Sequence, residues 1–219
     1  MTEEPLGGLA AARVADVLRQ EITEGRHRPG SALREAHIAA RLAVSRNTVR
    51  EAFRLLGYDN LVEHVRNRGV TVRELSEDDV ADIYAVRRTL EQMGLRAAEA
   101  NPPMHGGELA DVVQEAEEAA AAGDWARVAT ADLRFHQAIV GWLGSERVDR
   151  FFARIVAELR LAFATMPDPE DLHAPYVARN RQLAELVRAG ETAAGAAELE
   201  AYLSDAQREI TRVIRLRSR

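Results

Sequence analysis

Four things are missing from this 219-residue chain. It has no cysteine, which removes disulfide frameworks, thiolate metal sites and thiol nucleophiles together and points to a cytoplasmic protein. It has no run near the roughly 18 to 20 apolar residues that a membrane span needs. Its N-terminus, Met-Thr-Glu-Glu-Pro, lacks the basic start and apolar stretch of a secretory signal. It has no lysine, so all 29 basic residues are arginine. Arginine suits bidentate contact with phosphate or guanine edges, although so complete a bias also follows from genome composition. What remains is ordinary for a globular protein, with 47% hydrophobic and 29% charged residues. That is enough to bury one large core or two modest ones.

The net charge of −6 hides an asymmetry. Residues 1–73 carry 12 Arg against 9 Asp and Glu, a balance of +3. The remaining residues carry 17 against 26, a balance of −9. A basic reader of nucleic acid joined to an acidic partner domain fits that division.

Apolar spacing predicts a helix over about 9–24, ended by Gly25 and the Arg28-Pro29-Gly30 turn. A short helix follows over 34–42 with Ile38, Ala39 and Leu42 inward. Ala43-Val44-Ser45 then makes a tight connection, with Ser45 placed to cap a third helix over 46–56 by accepting from the Thr48 backbone N–H. Two β-prone stretches, Leu61–Val65 and Val70–Val72, flank Arg66-Asn67-Arg68-Gly69 and read as a hairpin. Three helices and a hairpin make a winged helix-turn-helix. Beyond Ser76 the pattern is helical throughout, over about 76–100, 106–122, 125–143, 146–165, 171–189 and 192–216. Ser76, Asp124 and Ser145 stand as N-caps. The fold class expected is mainly α, a winged helix-turn-helix over 1–73 followed by an all-α antiparallel bundle of about six helices over 74–219.

The third helix has the makings of a recognition helix. Arg46 and Arg50 share one face at i, i+4, while Val49, Ala52 and Phe53 face the small core. An arginine so placed can bond N7 and O6 of guanine together in the major groove. Asn47 lies on the same first turn, Ser45 and Thr48 offer hydroxyls to phosphate, and Arg68 with Gly69 forms the wing tip. A charge cluster alone reads equally as a solvated helix face. The combination with a short helix, tight turn, serine cap and hairpin within some forty residues decides for DNA.

These residues carry a resemblance to the GntR family of bacterial transcription regulators. It runs through Gly25, Pro29-Gly30, Leu33-Arg34-Glu35, Ile38-Ala39 and Leu42-Ala43-Val44-Ser45-Arg46-Asn47-Thr48-Val49-Arg50-Glu51-Ala52-Phe53-Arg54-Leu55, ending at Arg68-Gly69-Val70-Thr71-Val72. The resemblance implies operator binding by a homodimer, with Arg46 and Arg50 matching base-contacting arginines and Arg34 in the same reading set. Ala36 stands where some members place a DNA-contacting Arg, and Asn47-Thr48 replaces the common Thr-Pro.

In the helical half, polar residues fall on apolar stripes. Val80, Ile83 and Tyr84 lead at helical spacing to Arg87, Glu91 and Gly94. Asp132 and His136 lie within the stripe of Val128, Phe135 and Ile139. Asn180 precedes Leu183 by one turn, and Tyr202 follows Leu199. Buried charges need partners, so Arg87, Asp132, His136, Asn180 and Tyr202 aimed into one bundle suggest a polar effector cavity. The same residues admit structural readings, with Arg87 pairing Glu91, Asp132 pairing His136, and Tyr202 in the core. His27, His37, His64, His105 and His173 form no constellation and read as surface or packing residues.

This half resembles the FCD ligand-binding domain of the FadR-like branch, through Tyr84-Ala85-Val86-Arg87-Arg88-Thr89-Leu90-Glu91 and Asp132-Leu133-Arg134-Phe135-His136. The resemblance implies a divalent metal held by one Asp and three His. Asp132 and His136 match two of those ligands, while Asn180 and Tyr202 stand at the other two. Asn and neutral Tyr are poor zinc donors, so a weak Zn, Ni, Mn or Mg site is one reading. Metal-free binding of a small carboxylate metabolite clamped by Arg87 is the preferred one.

The function expected is a ligand-responsive transcription regulator, a repressor by family habit. The alternatives are a DNA-binding architectural protein with no effector, and a metal-dependent enzyme using Asp132 and His136. The last lacks an oriented nucleophile, a phosphate loop and a full ligand set.

Overall fold

A computed structural model describes residues 5–217; residues 1–4 and 218–219, the outer ends of the two domains read above, lie outside the described residues. Its contacts cluster into two units. One comprises Met1–Leu75 with Ala157–Thr165, the other Ser76–Val156 with Met166–Arg219.

In the first unit, helix α1 (Pro5–Thr23) buries Ala11, Val14, Ala15, Leu18 and Ile22, one face at helical spacing. Helix α2 (Glu35–Arg41) and helix α3 (Arg46–Tyr58) follow, and α3 buries Val49, Ala52, Phe53 and Leu56. Ser45 caps α3, its Oγ accepting from Thr48 N at 3.0 Å. A buried carboxylate fixes α2 against α1. Glu21 Oε1 and Oε2 accept from Arg41 Nη1 and Nη2 at 2.5 and 2.7 Å, and His27 lies 3.1 Å away. The Arg41 hydrogen bonds hold the Glu21 carboxyl below its ordinary value against the opposing effect of burial.

The wing is a hairpin of strands β2 (Val62–Val65) and β3 (Gly69–Val72), paired Val62↔Val72 through Val65↔Gly69. Its turn needs positive φ at Asn67 (+66°) and Gly69 (+78°), residues that tolerate the left-handed region. A third strand, β1 (Ala32–Leu33), pairs antiparallel with β3, giving the order β1-β3-β2. Two residues are too few to show an alternation, which is why the pattern revealed only the hairpin. From the end of the seventh helix, Glu158 accepts from Asn60 Nδ2 at 3.1 Å and lies 3.3 Å from Arg73 Nη1.

The second unit is helical. It comprises α4 (Glu77–Ala97), a 3-10 turn at Ala98–Ala100, α5 (Pro102–Ala121), α6 (Trp125–Gly141), most of α7 (Glu146–Phe163), α8 (Pro169–Arg188) and α9 (Thr192–Arg217). A capping box opens α4. Ser76 Oγ accepts from Asp79 N, and Asp79 Oδ2 accepts from Ser76 N at 2.8 Å. Asp124 caps α6. Helices α5 and α8 begin earlier than their spacing predicts, at Pro102 and Pro169. Proline has no N–H to lose in a first turn, so these breaks are helix starts.

One glycine sets the separation of the central helices. A Cβ on Gly94 of α4 would overlap the Ile139 carbonyl of α6, so the two backbones meet where only glycine fits. Among the described residues no helix is long and apolar enough to cross a membrane.

Candidate DNA interface and buried polar site

On the N-terminal unit the first turn of α3 and the wing tip are open to solvent. Arg34, Ser45, Arg46, Asn47, Arg50, Arg68 and Gly69 are exposed, and Thr48 is half-buried. Val49, Ala52 and Phe53 of α3 are buried while Arg46 and Arg50 stand exposed. Ser45 Oγ lies 2.8 Å from Thr48 Oγ1, so the two hydroxyls meet at the helix N-terminus, where backbone N–H groups and the helix dipole favour phosphate. Arg50 has a partner that the spacing did not reveal. Its Nε donates to Glu35 Oε1 and Oε2 of α2 at 3.1 and 3.0 Å, an ion pair across the helix-turn-helix. Holding Nε orients the guanidinium, whose terminal nitrogens form the fork that matches guanine N7 and O6.

In the helical unit the structure brings Arg87, Glu91, Asp132, His136, Asn180 and Tyr202 into one buried network. Glu91 and His136 sit one turn from the Gly94–Ile139 contact, which draws their helices together. Arg87 Nε donates to Glu91 Oε1 at 2.9 Å, and Glu91 Oε2 lies 2.6 Å from His136 Nδ1. Asp132 Oδ1 accepts from Asn180 Nδ2 at 2.8 Å and from Tyr202 Oη at 2.7 Å. The Arg87–Glu91 pairing across one turn is present. Asp132 and His136 do not form a self-contained pair, because Nε2 stands 4.0 Å from Oδ1.

Burial pushes the Glu91 and Asp132 carboxyls up, but the surrounding charges and hydrogen bonds outweigh it and hold both below their ordinary values. Glu91 answers to His136 and Arg87; Asp132 answers to His136 and His173, then to its Tyr202 and Asn180 donors. His173, read from sequence as a surface or packing residue outside any constellation, is buried on α8 with its charge acting on Asp132. A signal for it was available, since it sits seven residues, two turns, before Asn180 on one face of α8. Tyr202 is driven well above the ordinary phenol value by burial and then by Asp132, so it keeps its proton and donates. The Tyr202 ring lies tilted 4.7 Å from Tyr176 and edge-on 5.0 Å from the His136 ring.

Three atoms of this network are buried without a hydrogen-bond partner, namely Arg87 Nη2, His136 Nε2 and Asn180 Oδ1. Buried polar atoms are nearly always paired, so three unpartnered atoms in one group of side chains stand out. A divalent metal fits less well. Asp132 Oδ1 already accepts two hydrogen bonds, and the other two positions are an amide and a protonated phenol. Among the described residues no three His, Cys, Asp or Glu side chains are grouped to hold a metal ion, so the donors present do not make a zinc site. Two surface grooves lie elsewhere. One of about 360 Å³ runs between α5 and α8 beside Gln114 and Arg181, and one of about 630 Å³ lies along α9 beside Arg208 and Arg212. Neither is lined by the network.

Residues 10–72 match the family model for bacterial regulatory proteins of the gntR family. Residues 82–205, more than half of the chain, match that for the FCD domain. A solved structure described as a transcriptional regulator GntR from Rhodococcus sp. RHA1 is 39% identical, with a TM-score of 0.85 over 91% of this chain and 96% of that one. A protein from Paenarthrobacter nicotinovorans that carries the name of a D-xylose utilization operon transcriptional repressor is 36% identical over 59% of this chain. The gluconate operon transcriptional repressor of Bacillus subtilis is 40% identical over 36% of this chain. The chain spans 58% of the first of these two relatives and 32% of the second.

Proposed function

The chain belongs to the GntR family of bacterial transcription regulators, with a C-terminal FCD domain, and from that premise we propose that it is a cytoplasmic, homodimeric repressor released from its operator by a small polar metabolite. The family is one of regulators and not of enzymes. Its DNA-reading half supplies Arg46 and Arg50 to base edges, with Arg34, Ser45, Asn47, Thr48, Arg68 and Gly69 on the backbone or groove floor. A dimer doubles those contacts over two half-sites. The two relatives that carry repressor names support repression over activation.

The effector claim is carried by one observation, the three unpartnered atoms in the Arg87–Glu91–His136–Asp132–Asn180–Tyr202 network. A metabolite that pairs them supplies the missing hydrogen-bond partners. Protein side chains hold it, with no resident metal. Arg87 takes an acidic or hydroxyl oxygen of that metabolite. Operator affinity changes only if the metabolite binds the DNA-competent and DNA-incompetent arrangements unequally.

The test uses an operator recovered by the protein from a randomised duplex pool and labelled for fluorescence anisotropy. Titration with lactate, succinate, citrate, ribonate and gluconate should weaken operator binding at least threefold for one of them. An operator affinity untouched by every one favours the architectural reading, with the polar network purely structural.

A further inference from the structure

We infer that Glu35 is a positioning residue for base reading, holding the Arg50 guanidinium toward a guanine edge and away from the phosphates. This rests on the reading of Arg50 as a base contact and makes a residue of α2 a determinant of operator specificity.

Glu35 is the first residue of α2, a place where a carboxylate also answers the helix dipole. Its contacts point elsewhere. Its two carboxylate oxygens converge on Arg50 Nε, at 3.1 and 3.0 Å, across a separation of 15 residues. Arg50 Nη1 and Nη2 have no side-chain partner among the described residues. One edge of the guanidinium plane is therefore fixed, and the edge that carries two parallel N–H groups is presented. Arg46 on the same helix is exposed and has no side-chain partner among the described residues. Of the two arginines, one is aimed and the other is free to follow the backbone.

The ion pair adds little to the fold. Arg50 has 61% of its side chain exposed and Glu35 31%, and pairs so open to solvent are screened. Glu35 also works against DNA affinity, since a carboxylate beside the recognition helix repels the phosphates that supply non-specific binding. A charge that neither stabilises nor attracts has its use in discrimination. Without it a long arginine reaches phosphate oxygens and base edges alike; with it, only the base edge completes the geometry.

Three roles for Glu35 separate cleanly. A structural role lowers stability and moves operator and non-specific affinity together. A purely repulsive role weakens both by one factor. A positioning role alone changes their ratio.

Anisotropy titration of the full chain measures that ratio, with the operator duplex recovered from the randomised pool and a shuffled duplex of equal composition. Arg50→Ala locates the base, as the guanine whose replacement by 7-deazaguanine (which lacks the N7 acceptor) weakens wild type but not this variant. That replacement should weaken wild type about tenfold. In Glu35→Gln the penalty should shrink below about threefold, and the preference for operator over shuffled duplex should fall about fivefold or more. The shuffled duplex should bind this variant as tightly as wild type or tighter. Glu35→Ala, a stronger helix former, is the second variant and decides the matter if Glu35→Gln melts early. Folded Glu35 variants that keep the wild-type ratio and 7-deazaguanine penalty, whatever their absolute affinity, overturn the inference and leave Arg50 as a base contact. Arg50→Ala that keeps the wild-type ratio removes the base contact itself and the inference with it.

Discussion

The two units use charge in opposite ways. In the N-terminal unit the arginines of α3 stand in solvent, Arg50 with 61% of its side chain exposed, and the fold only has to hold their helix. In the helical unit Arg87 has a 3% exposed side chain and Glu91 and His136 have none exposed, so the fold has to satisfy every polar atom it encloses. An exposed charge can be changed with little effect on stability and a large effect on a partner. A buried one couples stability and binding in a single side chain.

The largest effect expected from that difference is on Arg87. Arg87→Ala strands Glu91 in the core and should lower the stability of the helical unit by about 3–5 kcal/mol. The double replacement Arg87→Met with Glu91→Met should lower it much less, because no buried charge is left unpaired. Chemical denaturation of the three proteins checks this, and equal losses would mean that the pair is not isolated from solvent as the structure has it.

Arg50→Ala comes next and acts on the other side of the comparison. Loss of one bidentate base contact is worth about 1–3 kcal/mol, so operator affinity should fall roughly tenfold to a hundredfold per half-site while the melting curve and helicity stay unchanged. Anisotropy titration beside a circular-dichroism melt measures both. A stable variant that binds the operator like wild type would remove Arg50 from the reading face. The smallest effect belongs to Ser45→Ala, which removes the cap of α3 and should lower stability by about 1 kcal/mol. Its effect on affinity should shrink with added salt if the Ser45 and Thr48 hydroxyls serve phosphate.

The same contrast explains what could be read from the residues. The winged unit was legible because each device is local. Ser45 caps within three residues, Gly69 and Asn67 turn the wing, and Val49, Ala52 and Phe53 mark one helix face. The strand β1 escaped, two residues paired to a strand 37 to 39 positions away. The helical unit was legible as helices, and five of its polar residues were legible as a group because they interrupt apolar stripes. Beyond the Arg87–Glu91 pair their partners were not, since pairing between helices is settled by how they pack in space. Glu91 bridges Arg87 to His136 because Gly94 lets α4 close onto α6. Asp132 turns to Asn180 and Tyr202 instead of to His136, four residues away. Glu35 reaches Arg50 across a turn that sequence spacing does not measure.

On the proposed function, outward charge reads a duplex while the buried polar network senses a solute. The most direct test is anisotropy of the labelled operator duplex with wild-type and Asn180→Leu chains, each titrated with whichever of lactate, succinate, citrate, ribonate and gluconate most weakens wild-type binding. Both chains should bind the free duplex equally, and only the wild type should release it as the solute is added. Release of both chains alike, or of neither, would contradict the account.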